Sequence, residues 1–273
     1  MAAEMKSSLR NIAICFVLSL MVLHSGIALA RDYGPGTPPI WENSIASTNW
    51  DLIRSDDPDA LVGVIYIGVR TKEMPPSLRH DNAHFEQAYV YRASFSDSKT
   101  VDILMSEDYR SEAAARADVD QYAPRLGKLP AFYRNNLNYM VGHVGDSDLT
   151  SEDAGHFFVI YSDRAATRIA NNDLEESFLH ESTHASVQVR AGGMGFNLLS
   201  SLRWQAAVAA DNAFITDYAA SEAQEDLAES ALFGYAMTFY PERFSRAERR
   251  AIKAQIPHRL AFWRRVFLNK MTR

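Results

Sequence analysis

Apolar residues recur along this chain in two rhythms: short alternating runs in the middle, then a helical period after about residue 173. Residues 61–69 are an apolar, β-rich run that reads as a central strand. Tyr89, Tyr91, Ala93 and Phe95 alternate with polar neighbours, as do Val101, Ile103 and Met105, and Ser96-Asp97-Ser98-Lys99 between them predicts a hairpin turn. An alanine-rich helix is expected over 111–122, stopped by Pro124 and Gly127. Residues 139–144 and 157–161 read as two further strands joined by a polar loop. From Asp173 onward only helices are expected. Asp173 and Glu176 spell a capping box for the first, which should run to about Arg190 before Gly192-Gly193, packing Phe178, Ala185 and Val189 on the sheet. Others follow over about 202–215, from Ser221 and Gln224 to Pro241, and from Ser245 and Glu248 with a break at Pro257. Strands first and helices second predict an α+β fold: a lobe with a small mixed sheet and a helix to about residue 165, an all-helical lobe after it, and the 173–190 helix at the junction.

The first 30 residues stand apart. Lys6 and Arg10 precede an apolar run over 12–23, and Ala28-Leu29-Ala30 closes it, so residues 1–30 read as a secretory signal peptide cleaved after Ala30. Residues 31–60 form an N-terminal extension opening on a loop-forming stretch, and 31–49 have the position of a cleft-covering pro-segment without further support. The single cysteine, Cys15, falls inside the leader, which leaves no disulfide, thiol nucleophile or thiolate ligand in the remainder. Without Glu4, Lys6 and Arg10, 26 basic and 33 acidic residues remain, a net charge of −7 that disfavours nucleic acid as a partner. The expected product is exported, periplasmic or secreted, with no stable membrane anchor.

One string carries chemistry. His180-Glu181-Ser182-Thr183-His184 is an HExxH set, and on a helix residues four apart share a face, so both imidazoles reach one metal ion while Glu181 stands beside it. Such a site needs a third protein ligand. The longer HExxHxxGxxH form is absent, since Val187 and Arg190 stand where its glycine and histidine would be. Carboxylates of the third helix remain. With Glu225 as origin, Glu229, Leu232, Ala236 and Phe239 fall within about 40° of it, while Asp226, Ser230, Gly234 and Thr238 point away. Two carboxylates in an apolar stripe either sit solvated at a frayed first turn or face a cation. The HExxH helix supplies a reason for the second.

The run from Tyr218 through Glu225-Asp226-Leu227-Ala228-Glu229 resembles the second motif of the gluzincins related to anthrax lethal factor and the secreted Pro-Pro endopeptidases. These carry HExxH, then a tyrosine, then a glutamate seven residues later. The resemblance rests on these two motifs, and Asp226-Leu227 and Ser186 depart from the family pattern. It implies a zincin-like domain over 61–273 that binds one zinc ion (Zn2+) through His180, His184 and Glu225. Glu181 would be the general base, Tyr218 the oxyanion donor, and Glu229 the brace of a ligand histidine. It further implies a peptide or protein substrate extended along an edge strand, for which 157–161 is the expected segment. The function so implied is a zinc metallopeptidase, with endopeptidase action preferred because no amine-binding site is recognisable. The alternatives are a non-catalytic, zinc-stabilised binding protein on the same scaffold and a metal-free module with a chance HExxH.

Other groups read as structural. His80 and His84 belong to a polar loop, and His143 and His156 to strand ends. Glu175 and Glu176 look like ordinary first-turn acids. Leu260, Trp263, Phe267 and Met271 stripe a C-terminal helix whose basic residues, Arg259, Arg264, Arg265 and Lys270 among them, form a solvated face.

Overall fold

The computed structural model describes residues 37–44, 51–152, 155–188 and 198–271, so the leader, Val189, Arg190 and Gly192-Gly193 lie outside the described residues. The alternating runs produce β1 (Leu61–Met74), β2 (His84–Phe95) and β3 (Val101–Met105), successive antiparallel partners, with the expected turn between the last two. Two helices, α1 (Glu112–Lys128) and α2 (Ala131–Asn136), carry the chain over so that β4 (Tyr139–His143) runs parallel to β3. β6 (Phe157–Tyr161) is parallel to β4, and the short β5 (Thr150–Glu152) lies antiparallel to β6. The order across this mixed sheet is β1-β2-β3-β4-β6-β5. Alternation splits the strands between two cores: Tyr91, Ala93, Ile103 and Phe158 join the helices on one face, and Ala88, Val90, Leu104 and Val141 form a smaller cluster on the other. Six helices follow: α3 (Ser162–Asn171), α4 (Leu174–Ser182), α5 (Leu202–Asp211), α6 (Ala223–Phe239), α7 (Arg246–Gln255) and α8 (Pro257–Met271). Six strands and eight α-helices among the described residues make a mixed α and β molecule compatible with the α+β expectation, and none of these helices is long and apolar enough to cross a membrane.

Several elements depart from the sequence reading. The run at 61–69 is the outermost strand, not a central one, and Val62, Ile65, Tyr66 and Val69 are exposed. Bulges interrupt its pairing near Gly63 and Gly68, and the Arg70 guanidinium donates to the carbonyls of Ile67 and Val69 (2.8 and 2.7 Å), occupying acceptors on the strand. Pro124 sits inside α1 rather than ending it. One missing N–H is outweighed where Tyr122, Ala123 and Leu126 are buried on the sheet. Helix α3 was not expected, since Ala165 alone among its residues is buried. Helix α5 stops at Asp211 instead of running to 215, because Asn212 turns left-handed (φ 44°) and the chain beyond it extends. That extended segment pairs with the N-terminal one: bridges join Thr37 to Ala213 and Trp41 to Thr216, and Asp217 N–H donates to Trp41 O at 3.0 Å. Residues 37–44 are thus a strap on the helical side.

The C-terminal helix docks through Trp263 and Phe267 as expected, but Arg259 is not on a solvated face. It is fully buried, donating to Asp226 Oδ2 at 2.7 and 3.0 Å, to Asp211 Oδ2 at 3.3 Å and to Ala213 O at 2.9 Å. Helix α6 is also buried on every side over 226–236. Its supposed outer face meets α8: Asp226 pairs with Arg259, Ser230 accepts from Trp263 Nε1 at 2.9 Å, and Gly234 lets the Trp263 Cβ approach. The capping box of Ser245 and Glu248 opens α7 as the sequence indicates. The one proposed for Ser221 and Gln224 does not form, because Ser221 Oγ donates to Tyr218 O.

Candidate metal centre

Helix α4 reaches the site from an anchored start. Asp173 and Glu176 make no capping box: Asp173 is buried and pairs with Arg168 (3.2 Å), and Glu176 accepts the backbone N–H groups of Leu52 and Ile53. Nor are the first-turn acids ordinary, since Glu175 and Glu176 are both buried and Glu175 lies 3.3 Å from Arg125. Burial pushes the Glu176 carboxyl well above the usual carboxylate range, against the pull of those two N–H donors. Phe178 and Leu179 fill the core, leaving His180 and Glu181 toward the opening. The helix then widens into a π-helical turn over Thr183–Gln188, a local form that recurs at functional sites. His184 lies in that turn.

Three donor atoms converge. His180 Nε2 is 3.1 Å from Glu225 Oε2, His184 Nε2 is 3.5 Å from the same oxygen, and the two imidazole nitrogens are 3.3 Å apart. Facing lone pairs repel at these distances unless a proton or cation lies among them. A tetrahedral zinc with bonds of about 2.0–2.1 Å holds its ligand atoms about 3.3–3.4 Å apart, which is the size of this triangle. His180, His184 and Glu225 therefore form a buried group that can hold a metal ion. The same groups act on one another electrostatically. Burial opposes charge on His180, but Glu225 and Glu229 outweigh it and lift its pKa well above the usual imidazole value. For Glu225, burial is overcome by the two imidazoles, which hold its carboxyl far below the usual range.

Further polar groups surround the triangle. Glu229, fully buried, places Oε1 3.0 Å from His180 Nδ1 and accepts from Ser44 Oγ (2.7 Å) and Thr216 Oγ1 (2.9 Å). His184 Nδ1 lies 3.1 Å from Gln188 Oε1, and Glu181 Oε2 accepts from Ser151 Oγ at 2.8 Å. Tyr218 stands over the same opening, its ring centroid 6.0 Å from that of His180. Burial, then the carboxylates of Glu225, Glu181 and Glu229, push its pKa up, so its phenol stays protonated. All six residues proposed from the sequence are thus brought together. Ser151, Gln188, Thr216 and Ser44 were missed. Only Gln188 had a signal, its i+4 spacing from His184.

Leu149, Thr150, Ser151, Tyr218 and Gln224 rim the cleft above the three donors, a cavity of about 360 Å³. The edge strand there is β5. The segment expected in that role, Phe157–Tyr161, is an inner strand, paired with β4 along its length and with β5 over Phe157–Val159. Residues 37–44 do not lie among the residues rimming this cleft and contact Glu229 through Ser44, while 31–36 and 45–49 are outside the described residues. The other histidines weighed from the sequence lie elsewhere: the His80 and His84 ring centroids are 3.8 Å apart with the planes tilted, His156 Nδ1 meets Ala185 O at 2.8 Å, and His143 is buried at the end of β4. Comparisons with protein-family models, curated proteins and solved structures found no match to this chain.

Proposed function

We propose that this chain is a zinc-dependent peptidase of the gluzincin kind, an endopeptidase with a zincin-like domain, exported by its first 30 residues. The observation that carries the reading is the donor triangle, sized for tetrahedral zinc and flanked in one cleft by a carboxylate and a protonated phenol. Two imidazoles and one carboxylate suit zinc, which has no need of thiolate. Bound there, zinc supplies Lewis acidity toward a water molecule and toward the carbonyl of the scissile peptide.

The chain's own residues do the rest. Glu181 accepts the proton of the attacking water and returns it to the leaving amine, held in register by the Ser151 hydroxyl. Tyr218 donates to the oxygen that gains charge as the carbonyl carbon turns tetrahedral. Glu229 keeps the Nδ1 proton of His180 in place, so that Nε2 faces the centre. An extended peptide adds to the outer edge of β5, which leads into the cleft. A metal that only stabilised the fold would require neither the base nor the phenol.

Glu181→Gln tests this. The amide keeps the size of the side chain and an acceptor for Ser151 but cannot take a proton. Zinc content is expected to stay at the wild-type level while hydrolysis of a peptide library falls by about 10²–10⁴-fold. Equal cleavage by the variant, or no zinc in the wild-type protein, rejects the proposal. Zinc without cleavage in either protein favours a binding role on the same scaffold.

A further inference from the structure

Glu229 belongs to the chemistry above, but what holds Glu229 comes from the far end of the chain. Ser44 and Glu229 are 185 residues apart in sequence, yet Ser44 Oγ donates to Oε1, the oxygen that also faces His180 Nδ1. Thr216 Oγ1 takes Oε2. The strap bearing Ser44 is docked independently of that bond: Ile40 and Trp41 N–H groups both donate to Ile215 O, Gln255 Nε2 donates to Pro38 O at 2.8 Å, and the Trp41 ring stacks on Phe233 at 4.9 Å. It lies beside the same extended segment that carries Thr216. The two hydroxyls thus grip the two oxygens of one fully buried carboxylate from adjacent, hydrogen-bonded stretches of chain.

We infer that Ser44 is a positioning residue for the metal centre, acting through Glu229 on His180, and that the strap is part of the site rather than a removable cover. This rests on the zinc reading given above. A carboxylate gripped at both oxygens cannot rotate away from Nδ1, which fixes the tautomer that turns Nε2 toward the metal. With the hydroxyl lost, Glu229 loses its hold at Oε1, the oxygen facing Nδ1, and the imidazole it orients binds metal less well.

The test uses the full chain and zinc ion alone, in competition with a chromophoric chelator, followed by kinetics on a peptide that the wild type cleaves. Ser44→Ala should weaken zinc binding by roughly threefold to tenfold, below the roughly 10–100-fold typical of a direct partner of a ligand histidine. At subsaturating zinc kcat should fall in step with KM unchanged. Ser44→Thr, which keeps the hydroxyl, should restore most of the affinity, whereas Asn43→Gly, at an exposed position whose left-handed backbone (φ 60°) glycine accepts, should leave it unchanged. A strap that merely stabilised the fold would lower the thermal midpoint of Ser44→Ala and leave zinc affinity alone, and that result overturns the inference. Wild-type affinity in Ser44→Ala with reduced affinity in Glu229→Gln rejects the role of Ser44 but leaves the centre standing. Failure of the wild type to bind zinc removes both.

Discussion

Arg259 offers the sharpest test of how the helical half is held together. Its side chain is 1% exposed and serves two carboxylates that are themselves buried. These differ in what else they have. Asp211 also accepts the N–H groups of His258 (2.8 Å) and Arg259 (2.9 Å), and so caps the start of α8 on its own. Among the described residues, Asp226 Oδ2 accepts from this guanidinium alone, at 2.7 and 3.0 Å, and Oδ1 is buried with no hydrogen-bond partner. Arg259→Met keeps much of the packed volume and strands mainly Asp226. Removing one partner of a buried pair costs about 3–5 kcal/mol, a large share of the roughly 5–15 kcal/mol by which domains are stable. Urea unfolding with an unchanged m-value should read that loss. Arg264→Met, on the exposed side of the same helix, should stay within about 0.5 kcal/mol of wild type. Adding Asp226→Asn to Arg259→Met should recover part of the deficit, because the stranded charge goes with it. A loss below about 1 kcal/mol for Arg259→Met, or equal effects at 259 and 264, would refute the account of a buried pair.

Three further outcomes are expected. A Cβ at Gly234 would lie 2.4 Å from the Trp263 Cβ, so Gly234→Ala must part α6 from α8, at about 1–3 kcal/mol in chemical denaturation; an unchanged midpoint would mean that the contact relaxes without cost. Tyr218→Phe keeps the ring against His180 but removes the donor, so kcat should fall by about 10²–10³-fold with zinc affinity unaltered. If affinity falls instead, Tyr218 is a prop rather than a donor. Stripping zinc with a chelator should lower the thermal midpoint, and zinc at one hundred times its dissociation constant should restore about 2.7 kcal/mol. A midpoint indifferent to the metal would contradict binding at His180, His184 and Glu225.

The parts of this structure that were readable in the sequence are those where one local rule decides. The i,i+4 histidines, the alternation of 89–95 and 101–105, and the Ser245–Glu248 cap each depend on a few neighbouring residues. Glu225 was found because a second helix had to supply an acid. What escaped depends on partners far away. Nothing near residue 61 announces that its apolar run ends a sheet, and nothing near Glu176 tells that Leu52 and Ile53 take its carboxylate from the capping role. The wheel drawn on α6 separated an inner face from an outer one, but α8 covers the outer one and reuses its Asp226, Ser230 and Gly234 as contacts. Burial of Arg259 is invisible for the same reason: a basic residue on a basic helix looks solvated until its two acids are located.

Arg70 has a bearing on how copies of this molecule meet. A strand that ends a sheet while showing Val62, Ile65 and Tyr66 to water is a template on which a neighbour can grow. By filling the acceptors of Ile67 and Val69 with its own guanidinium, the chain spoils that template half-way along and denies an incoming strand a continuous ladder. One side chain thereby interrupts the free edge of the sheet at the margin farthest from β5.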